Sequence, residues 1–151
     1  MSETVSIIRA DEHNVHEAAG VFDLFRQHYG ETSDYKTCVE FLVDRQKATE
    51  SIVFFAKDHD GDVVGFTQLY PIFSSVPFRR DLFLGDLFVV ETARGNGVGR
   101  RLLEAAKKYG NEVASKGILL TTDIENANAQ ELYKSFGFEP DTGNRYYYLT
   151  L

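Results

Sequence analysis

The sequence LFLGDLFVVETARGNGVGRRLLEAA, from Leu82 to Ala106, contains the transition that decides the fold. Its first part, Leu82 to Val90, is an apolar run interrupted only by Gly85 and Asp86, and such a run is typical of a strand covered on both faces. From Val98 onward, apolar residues recur at helical intervals and charged residues occupy the other faces. The stretch therefore predicts a strand, a glycine-rich turn and a helix in direct succession.

The glycine-rich turn has the chemistry of a phosphate-binding site. Gly95, Gly97 and Gly99 allow positive φ or close backbone approach, and the helix that follows begins with N–H groups that lack intrahelical partners. The helix dipole, Arg94 and Arg100 add positive charge, so we expect this turn to bind a pyrophosphate. Neither a P-loop sequence nor the glycine spacing of a Rossmann turn is present in the sequence. A tight turn with a glycine cap is the alternative interpretation.

Composition limits the class of protein. At 151 residues the chain is predicted to form a single domain over residues 1–151, and its net charge of −7 disfavours nucleic-acid binding and favours cationic partners. The sequence has no apolar run of transmembrane length and no signal-peptide pattern, so we expect a cytoplasmic protein with no membrane partner. A single cysteine, Cys38, excludes an internal disulfide. No recognised ligand motif surrounds His13 and His16, so no metal site is predicted.

Periodicity and turn signals predict the remaining elements. The predicted strands are Thr4–Arg9, Ser51–Lys57, Val63–Phe73, Ile118–Ile124 and Arg145–Leu151, and the predicted helices are Val15–Tyr29, a second one from the Asp34 cap to Ala48, and Ala127–Phe136 capped by Asn126. A loop is predicted at 72–76, between Pro71 and Pro77. The order β-α-α-β-β-β-α-β-α-β indicates an α/β (α+β) fold with a mixed, mostly antiparallel central sheet and helices on both faces.

Two motifs, in this order along the chain, resemble those of the GNAT N-acetyltransferases. RGNGVG, from Arg94 to Gly99, is similar to the acetyl-CoA loop of that family and has the expected strand before it and helix after it. The segment from Asn126 to Tyr133, followed by Phe136-Gly137-Phe138, resembles the second cofactor and catalytic segment. With the N-terminal layout, the resemblance covers nearly the whole chain and implies the GNAT fold.

The resemblance also implies acetyl-CoA as co-substrate and a role for specific residues. The backbone of the central strand would pair with the pantetheine arm like an added strand. Tyr133 would be the proton donor to the coenzyme A thiolate, although the residue pattern alone favours a packed aromatic side chain. The implied cofactor-binding residues are Leu87, Phe88, Val89, Arg94, Gly95, Asn96, Gly97, Val98, Gly99, Arg100, Asn126 and Ala129.

Asp86 is the one charged residue within the apolar strand, and an ionisable group there must be paired, hydrated or functional. We predict a catalytic role in which Asp86 binds a substrate ammonium or takes its proton through water. An ion pair with Arg79 or Arg80 is the structural alternative. The strand is similar to that of diamine and polyamine N-acetyltransferases, which however have a glutamate where this chain has Gly85.

The predicted activity is acetyl transfer from acetyl-CoA to a primary amine of a cationic small molecule, polyamine-like or amino-acid-like. Tyr29 and Glu31, in a polar loop between the first two helices, are predicted to bind this substrate, and a plain helix connection is the alternative for that loop. Transfer to a protein lysine or N-terminal amine, and a CoA-binding regulatory module without turnover, are alternative functions. Family habit and the tyrosine-rich terminal strand predict a homodimer.

Overall fold

The computed structural model describes residues 4–151, which form five strands and four α-helices. The strands are β1 (Ser6–Arg9), β2 (Ile52–Lys57), β3 (Val63–Ser74), β4 (Arg79–Val89) and β5 (Ile118–Leu119). The helices are α1 (Ala19–His28), α2 (Tyr35–Lys47), α3 (Val98–Glu112) and α4 (Ala127–Phe136). Among the described residues, no helix is long and apolar enough to span a bilayer. The chain divides into two compact units, one ending at Thr121 and the other formed by residues 122–151.

The sheet lies in the first unit and follows chain order, β1-β2-β3-β4-β5. Neighbours from β1 to β4 pair antiparallel, and β5 pairs parallel to β4. Tight hairpins connect β2 to β3 and β3 to β4, whereas α3 connects β4 to β5, as a parallel pair requires. This arrangement confirms the predicted mixed, mostly antiparallel sheet.

Helices cover both faces of the sheet. Phe55 of β2 belongs to an apolar cluster with Phe22 of α1 and Leu42 of α2. The neighbouring residue Phe54 points to the opposite face, where its ring centroid lies 6.3 Å from that of Tyr109 in α3. The predicted two-sided burial is therefore confirmed, with α1 and α2 on one face and α3 on the other.

Gly85 is an extra residue in β4, and this strand therefore contains a β-bulge. The register pairs Gln68 with Asp86 and Leu69 with Leu84, so that Gly85 has no partner on β3. A one-residue insertion of this kind reverses the face to which every later side chain of the strand points.

The side chains before and after the bulge show this reversal. Leu82 packs against α3 near Gly110, whereas Phe88 packs with Phe25 of α1 at a centroid distance of 5.8 Å. Residues six positions apart would lie on one face of a regular strand. The bulge therefore places Asp86, like Phe88, on the face covered by α1 and α2.

The bulge also makes room for an aromatic ring. A Cβ atom at Gly85 would lie 2.6 Å from Cε2 of Tyr70, whose ring stacks on that of Phe83 at a centroid distance of 6.4 Å. Tyr70 thus fills the space that a side chain at position 85 would occupy.

The hairpin between β3 and β4 is longer than predicted. The loop prediction for 72–76 is wrong for its first three residues, because β3 continues to Ser74 and β4 begins at Arg79 rather than Leu82. Pro71 does not end the strand. Leu82 of β4 is the register partner of Pro71, and its N–H donates to the Gly117 carbonyl, on the edge of β4 that faces away from β3. The pair therefore does not use the N–H that proline lacks.

The end of the chain also differs from the prediction. The predicted final strand Arg145–Leu151 is wrong, since its residues carry no strand pairing and are exposed, and β5 stops at Leu119 instead of Ile124. Aromatic and β-branched residues favour a strand only where a neighbouring strand accepts and donates hydrogen bonds. Within the described residues, no strand pairs with either segment.

The bulge predicts opposite effects for the same substitution at two glycines. Gly85→Ala should lower the free energy of unfolding by roughly 1–3 kcal/mol because its Cβ overlaps Tyr70. Gly110→Ala, within α3, should raise it by roughly 0.5–1 kcal/mol, because alanine favours the helix and its Cβ meets Leu82 at an ordinary 3.6 Å. Urea denaturation measures both, and equal effects of the two variants would contradict the packing around Gly85.

Candidate active site

The turn before α3 has the backbone conformation that its glycines predict. Gly95 has φ 79° and Gly97 has φ 77°, both in the left-handed region, and no atom lies within 4 Å of where a Cβ would stand at either position. Gly97 is the N-cap residue of α3, and its carbonyl accepts the N–H of Arg101 at 3.1 Å. The turn is thus open at the points where a ligand would approach.

No side chain of the described residues caps the N terminus of α3. The amides of Val98 and Gly99 lie in the first turn of this helix, where helical geometry supplies no carbonyl partner. The Val98 side chain is buried and lies beside Gly65 of β3, which anchors the start of the helix to the sheet. These features fit a pyrophosphate, since uncapped amides and the helix dipole favour an anion at this end.

The C-terminal half of β4 has one open edge. Val90 donates its N–H to the Val64 carbonyl at 2.9 Å, and N–H groups alternate along a strand, so those of Leu87 and Val89 lie on the opposite edge. β5 pairs only with the earlier residues Leu82 and Phe83. Within the described residues, no strand pairs with β4 beyond that point.

The polar side chains of the turn bind mainly to the backbone beside them. Arg94 donates from Nε to the Val89 carbonyl at 2.8 Å, and its guanidinium lies 5.5 Å from the ring centroid of Phe88. Asn96 donates from Nδ2 to the Ala93 carbonyl at 3.3 Å. Arg100, the last predicted cofactor residue of this turn, is half-buried in the first turn of α3. The turn is therefore held in place by its own polar groups.

Asp86 is half-buried and forms a short hydrogen bond with the residue opposite it on β3. Gln68, which is fully buried, donates from Nε2 to Oδ2 of Asp86 at 2.6 Å. The neighbouring Thr67 donates from Oγ1 to the Asp86 main-chain carbonyl at 2.8 Å. Burial raises the pKa of the Asp86 carboxyl from 3.8 to about 6, even though the Gln68 hydrogen bond lowers it.

The structural alternative for Asp86 is wrong. Arg79 donates instead to the carbonyls of Ala114 and Ser115, and Arg80 donates to the Tyr109 hydroxyl. Both arginines lie at the far end of β4 and pair with the end of β3. No cationic side chain of the described residues forms an ion pair with Asp86.

Tyr70 is a further polar side chain in this part of the sheet. Burial, with a smaller contribution from the Asp86 charge, raises the pKa of its phenol, so the hydroxyl stays protonated at neutral pH. Sequence reasoning missed both Tyr70 and Gln68. Polar residues at Thr67 and Gln68 within an apolar strand, and a glycine at position 85 within the next, were the available signals.

The predicted substrate loop between α1 and α2 is held by Asp23, which the sequence analysis did not identify. Asp23 accepts hydrogen bonds from the Ser33 hydroxyl at 2.6 Å and the Asp34 N–H at 2.8 Å, and these bonds hold the pKa of its carboxyl below the usual range. Tyr29 is exposed beside Phe25, and Glu31 pairs with Arg26 at 3.9 Å. The loop therefore has a defined conformation.

The other predicted residues lie in the second unit. Asn126 caps α4 by accepting the Ala129 N–H at 3.1 Å, as the capping prediction requires. Tyr133 is half-buried, and its ring meets that of Phe138 edge-on at a centroid distance of 5.7 Å. Gly137, with φ 120°, ends the helix. The predicted helix Ala127–Phe136 is confirmed, whereas the roles of these three predicted site residues stay predictions.

The histidine pair that could have suggested a metal does not form a ligand cluster. Glu17 beside His13 and His16 pairs instead with Lys57 at 2.6 Å. Among the described residues, no group of three or more His, Cys, Asp or Glu side chains is arranged to hold a metal ion.

Comparison with known proteins identifies the family. The model of the GNAT acetyltransferase family matches residues 18–138. The chain is 42% identical over 133 residues to the uncharacterized N-acetyltransferase YhfO of Bacillus subtilis (strain 168), covering 88% of this chain and 89% of that protein. A crystal structure of a probable acetyltransferase matches with a TM-score of 0.91 at 33% identity and covers 97% of both chains.

A further solved structure shows the same fold at lower identity. The aminoglycoside N-acetyltransferase AAC(6')-Iy, in complex with CoA, matches with a TM-score of 0.79 and 18% identity, covering 100% of this chain and 98% of that chain. The motifs, the fold and the match over most of the sequence agree. This chain belongs to the GNAT acetyltransferase family and is an acetyl-CoA-dependent N-acetyltransferase.

Proposed function

We propose that this enzyme acetylates a primary amine of a cationic small molecule, polyamine-like or amino-acid-like. The observation that carries the proposal is Asp86, a half-buried carboxyl group with one side-chain donor and no cationic partner among the described residues. An ionised carboxylate in such surroundings is unfavourable unless an opposite charge lies beside it. The ammonium group of a substrate supplies that charge, and the net charge of −7 attracts cations from a distance.

Two features of the first unit are suited to hold acetyl-CoA, which supplies an acetyl thioester when bound. The turn from Gly95 to Gly99 and the side chains of Arg94 and Arg100 would bind the pyrophosphate. The open edge of β4 would bind the pantetheine arm through Leu87 and Val89, in the manner of an added strand. Arg94 already uses the Val89 carbonyl, so that edge offers chiefly N–H donors.

The family resemblance adds Asn126 and Ala129 of the second unit to the cofactor site. It also makes Tyr133 the proton donor. The family model matches residues on both sides of Thr121, which supports the inference that both units form one N-acetyltransferase domain. The homodimer and the cytoplasmic location stay predictions, the former open to a light-scattering measurement.

The chemistry follows from the protonation states of two side chains. Asp86 removes a proton from the substrate ammonium, so that an N–H bond breaks, an O–H bond forms on Asp86 and the amine gains its lone pair. A backbone N–H at the open edge of β4 can stabilise the tetrahedral oxyanion. The lone pair of the amine would form the C–N bond to the thioester carbon, and the C–S bond would break as the tetrahedral intermediate collapses. Tyr133 would give its hydroxyl proton to the departing thiolate and regain a proton, through water, from the second N–H of the attacking amine. A phenol hydroxyl group carries the proton that such a donor must supply.

The experiment that tests the acceptor class is a panel of amines incubated with acetyl-CoA while free thiol is measured. Polyamines and amino-acid amides should release thiol in proportion to the acetylated amine. Lysine-containing peptides and peptides with a free N terminus serve as the comparison. Turnover with these peptides alone would contradict the small-molecule acceptor.

The glycine turn predicts a binding defect that a control variant with the same loss of stability does not share. Gly97→Ala should weaken acetyl-CoA binding by roughly tenfold or more, because a Cβ at φ 77° disturbs the backbone that meets the phosphates. Gly61→Ala is the matched control, since Gly61 has φ 85° and an equally open environment in the β2–β3 turn. Both variants should lose roughly 1–2 kcal/mol of stability from left-handed strain. Calorimetric titration decides, and equal affinities for both variants would remove the turn from the cofactor site.

The proton donor is tested by removing one hydroxyl group. Tyr133→Phe should lower kcat by roughly a hundredfold, as expected for a lost general acid, and leave acetyl-CoA affinity nearly unchanged. Tyr147→Phe, at an exposed tyrosine of the same unit, should keep the wild-type kcat. Wild-type turnover by Tyr133→Phe, under conditions where chemistry is rate-limiting, would show that another group protonates the thiolate.

The buried charge of Asp86 predicts a pH-dependent stability difference. The folded-state pKa of about 6 exceeds the ordinary 3.8, so the native state holds this proton more tightly and the contribution of Asp86 to wild-type stability falls as pH rises from 4 to 6. Relative to wild type, Asp86→Asn should gain roughly 1–3 kcal/mol of unfolding free energy across that window and no more above it. Urea denaturation between pH 4 and pH 8 measures the difference. A constant difference, or one that falls with pH, would show that Asp86 is not a destabilised carboxylate.

A further inference from the structure

Gln68 lies within hydrogen-bond distance of the Asp86 carboxyl group. The two residues are direct partners in the β3–β4 register, so the sheet backbone fixes the distance between their side chains. Nε2 of Gln68 donates to Oδ2 of Asp86 at 2.6 Å, which is short for a hydrogen bond of this type and typical of an ionised acceptor. Gln68 is fully buried and cannot easily leave this position.

The other half of the Gln68 amide has no partner. Its Oε1 atom is buried without a hydrogen bond among the described residues. A buried carbonyl without a hydrogen bond is unfavourable, so a core position usually excludes it unless it has a use. Oε1 can serve as a hydrogen-bond acceptor when the neighbouring carboxyl group is protonated. A carboxylic acid needs an acceptor at the point where a carboxylate needs a donor.

We propose that Gln68 is the positioning residue that makes Asp86 the base of the reaction, by donating to the carboxylate and, after a turn of its amide, accepting from the carboxylic acid. The ammonium N–H bond breaks, the O–H bond forms on Asp86, and a carboxylate and an ammonium become a neutral acid and a neutral amine. The amide turn moves Oε1 to the place of Nε2, so the new O–H group finds an acceptor. This inference rests on the proposed function, because it assumes that Asp86 receives the amine proton.

The other titratable and charged groups on the face of α1 and α2 do not replace this role. Tyr70 on β3 senses the charges of both Asp86 and Arg45, but its phenol stays protonated at neutral pH. Arg45 on α2 pairs with Glu50 at 3.4 Å. His28 lies at the C-terminal end of α1, and α1 packs against β4. Gln68 is the hydrogen-bond partner that the structure gives to the Asp86 carboxyl group.

The test compares Gln68→Met with Thr67→Val. Methionine keeps the length of the side chain and removes both the donor and the acceptor, so the Asp86 carboxylate loses its partner. Thr67→Val removes the hydrogen bond to the Asp86 main-chain carbonyl and leaves the carboxyl group untouched. Both variants should be less stable than wild type, so stability alone does not separate them.

Two readouts separate positioning from packing. The first is the acid limb of kcat/KM against pH, which should move to higher pH by roughly one unit in Gln68→Met, because the lost hydrogen bond to the charged carboxylate is stronger than the one to the neutral acid. In Thr67→Val this limb should stay in place. The second is the titration of the Asp86 carboxyl carbon by NMR, with the signal assigned from Asp86→Asn. It should show the same shift and does not depend on turnover.

The outcomes distinguish the inference from the function on which it rests. Turnover with an unchanged acid limb and an unchanged Asp86 titration in Gln68→Met would overturn the role of Gln68 and leave the proposed function standing. If the Asp86 titration moves to higher pH in Gln68→Met but the wild-type enzyme acetylates no amine, the proposed function is overturned and the coupling of the two side chains is confirmed. If Gln68→Met does not fold, Gln68→Glu takes its place in the test. It keeps the shape of the side chain, lacks the amide donor and should also move the acid limb of kcat/KM to higher pH.

Discussion

The unpaired Gly85 in β4 is the constraint on which the acceptor side of the molecule depends. Without the bulge, Asp86 would share the face of Leu82 and Leu84 and lie under α3. With it, Asp86 lies on the face of α1 and α2 and directly opposite Gln68. The same missing side chain leaves the space that the Tyr70 ring fills. One residue thus decides where the carboxyl group lies and what surrounds it.

The cofactor features depend on a second constraint, the early end of β5. Because β5 pairs with only two residues of β4, the backbone amides at Leu87 and Val89 have no strand beside them among the described residues. The chain then turns through Gly95 and Gly97 into α3. Backbone groups, together with the Arg94 and Arg100 side chains, therefore supply the proposed cofactor contacts of the first unit, whereas side chains on one face of the sheet supply the proposed acceptor contacts. This separation is consistent with a family that keeps one cofactor and varies its acceptor.

The parts of the fold that depend on local sequence could be predicted. The helix that follows the glycine turn and the Asp34 and Asn126 caps each have a local signal, and all of them form. The final strand at 145–151 failed because a strand depends on a neighbour that no local pattern specifies. The loop after Pro71 failed for a similar reason, since the N–H that proline lacks is not used at that point of the ladder.

The candidate site follows the same division. The glycine turn could be placed from spacing, and Asp86 could be singled out as a charge in an apolar strand. Its partner Gln68 and the fit of Tyr70 against Gly85 depend on strand register, and the Asp23 contacts with Ser33 and Asp34 join residues about ten positions apart. Neither kind of contact leaves a periodic pattern.

The most direct test is a crystal structure of the enzyme with CoA and a cationic amine bound. We expect the amine nitrogen at roughly 2.6–3.2 Å from the Asp86 carboxyl group, in hydrogen-bond reach of the base. The pyrophosphate should lie on the first amides of α3, after Gly97. An amine bound elsewhere, out of reach of an Asp86 carboxyl group that still bonds only to Gln68, would contradict the proposed function.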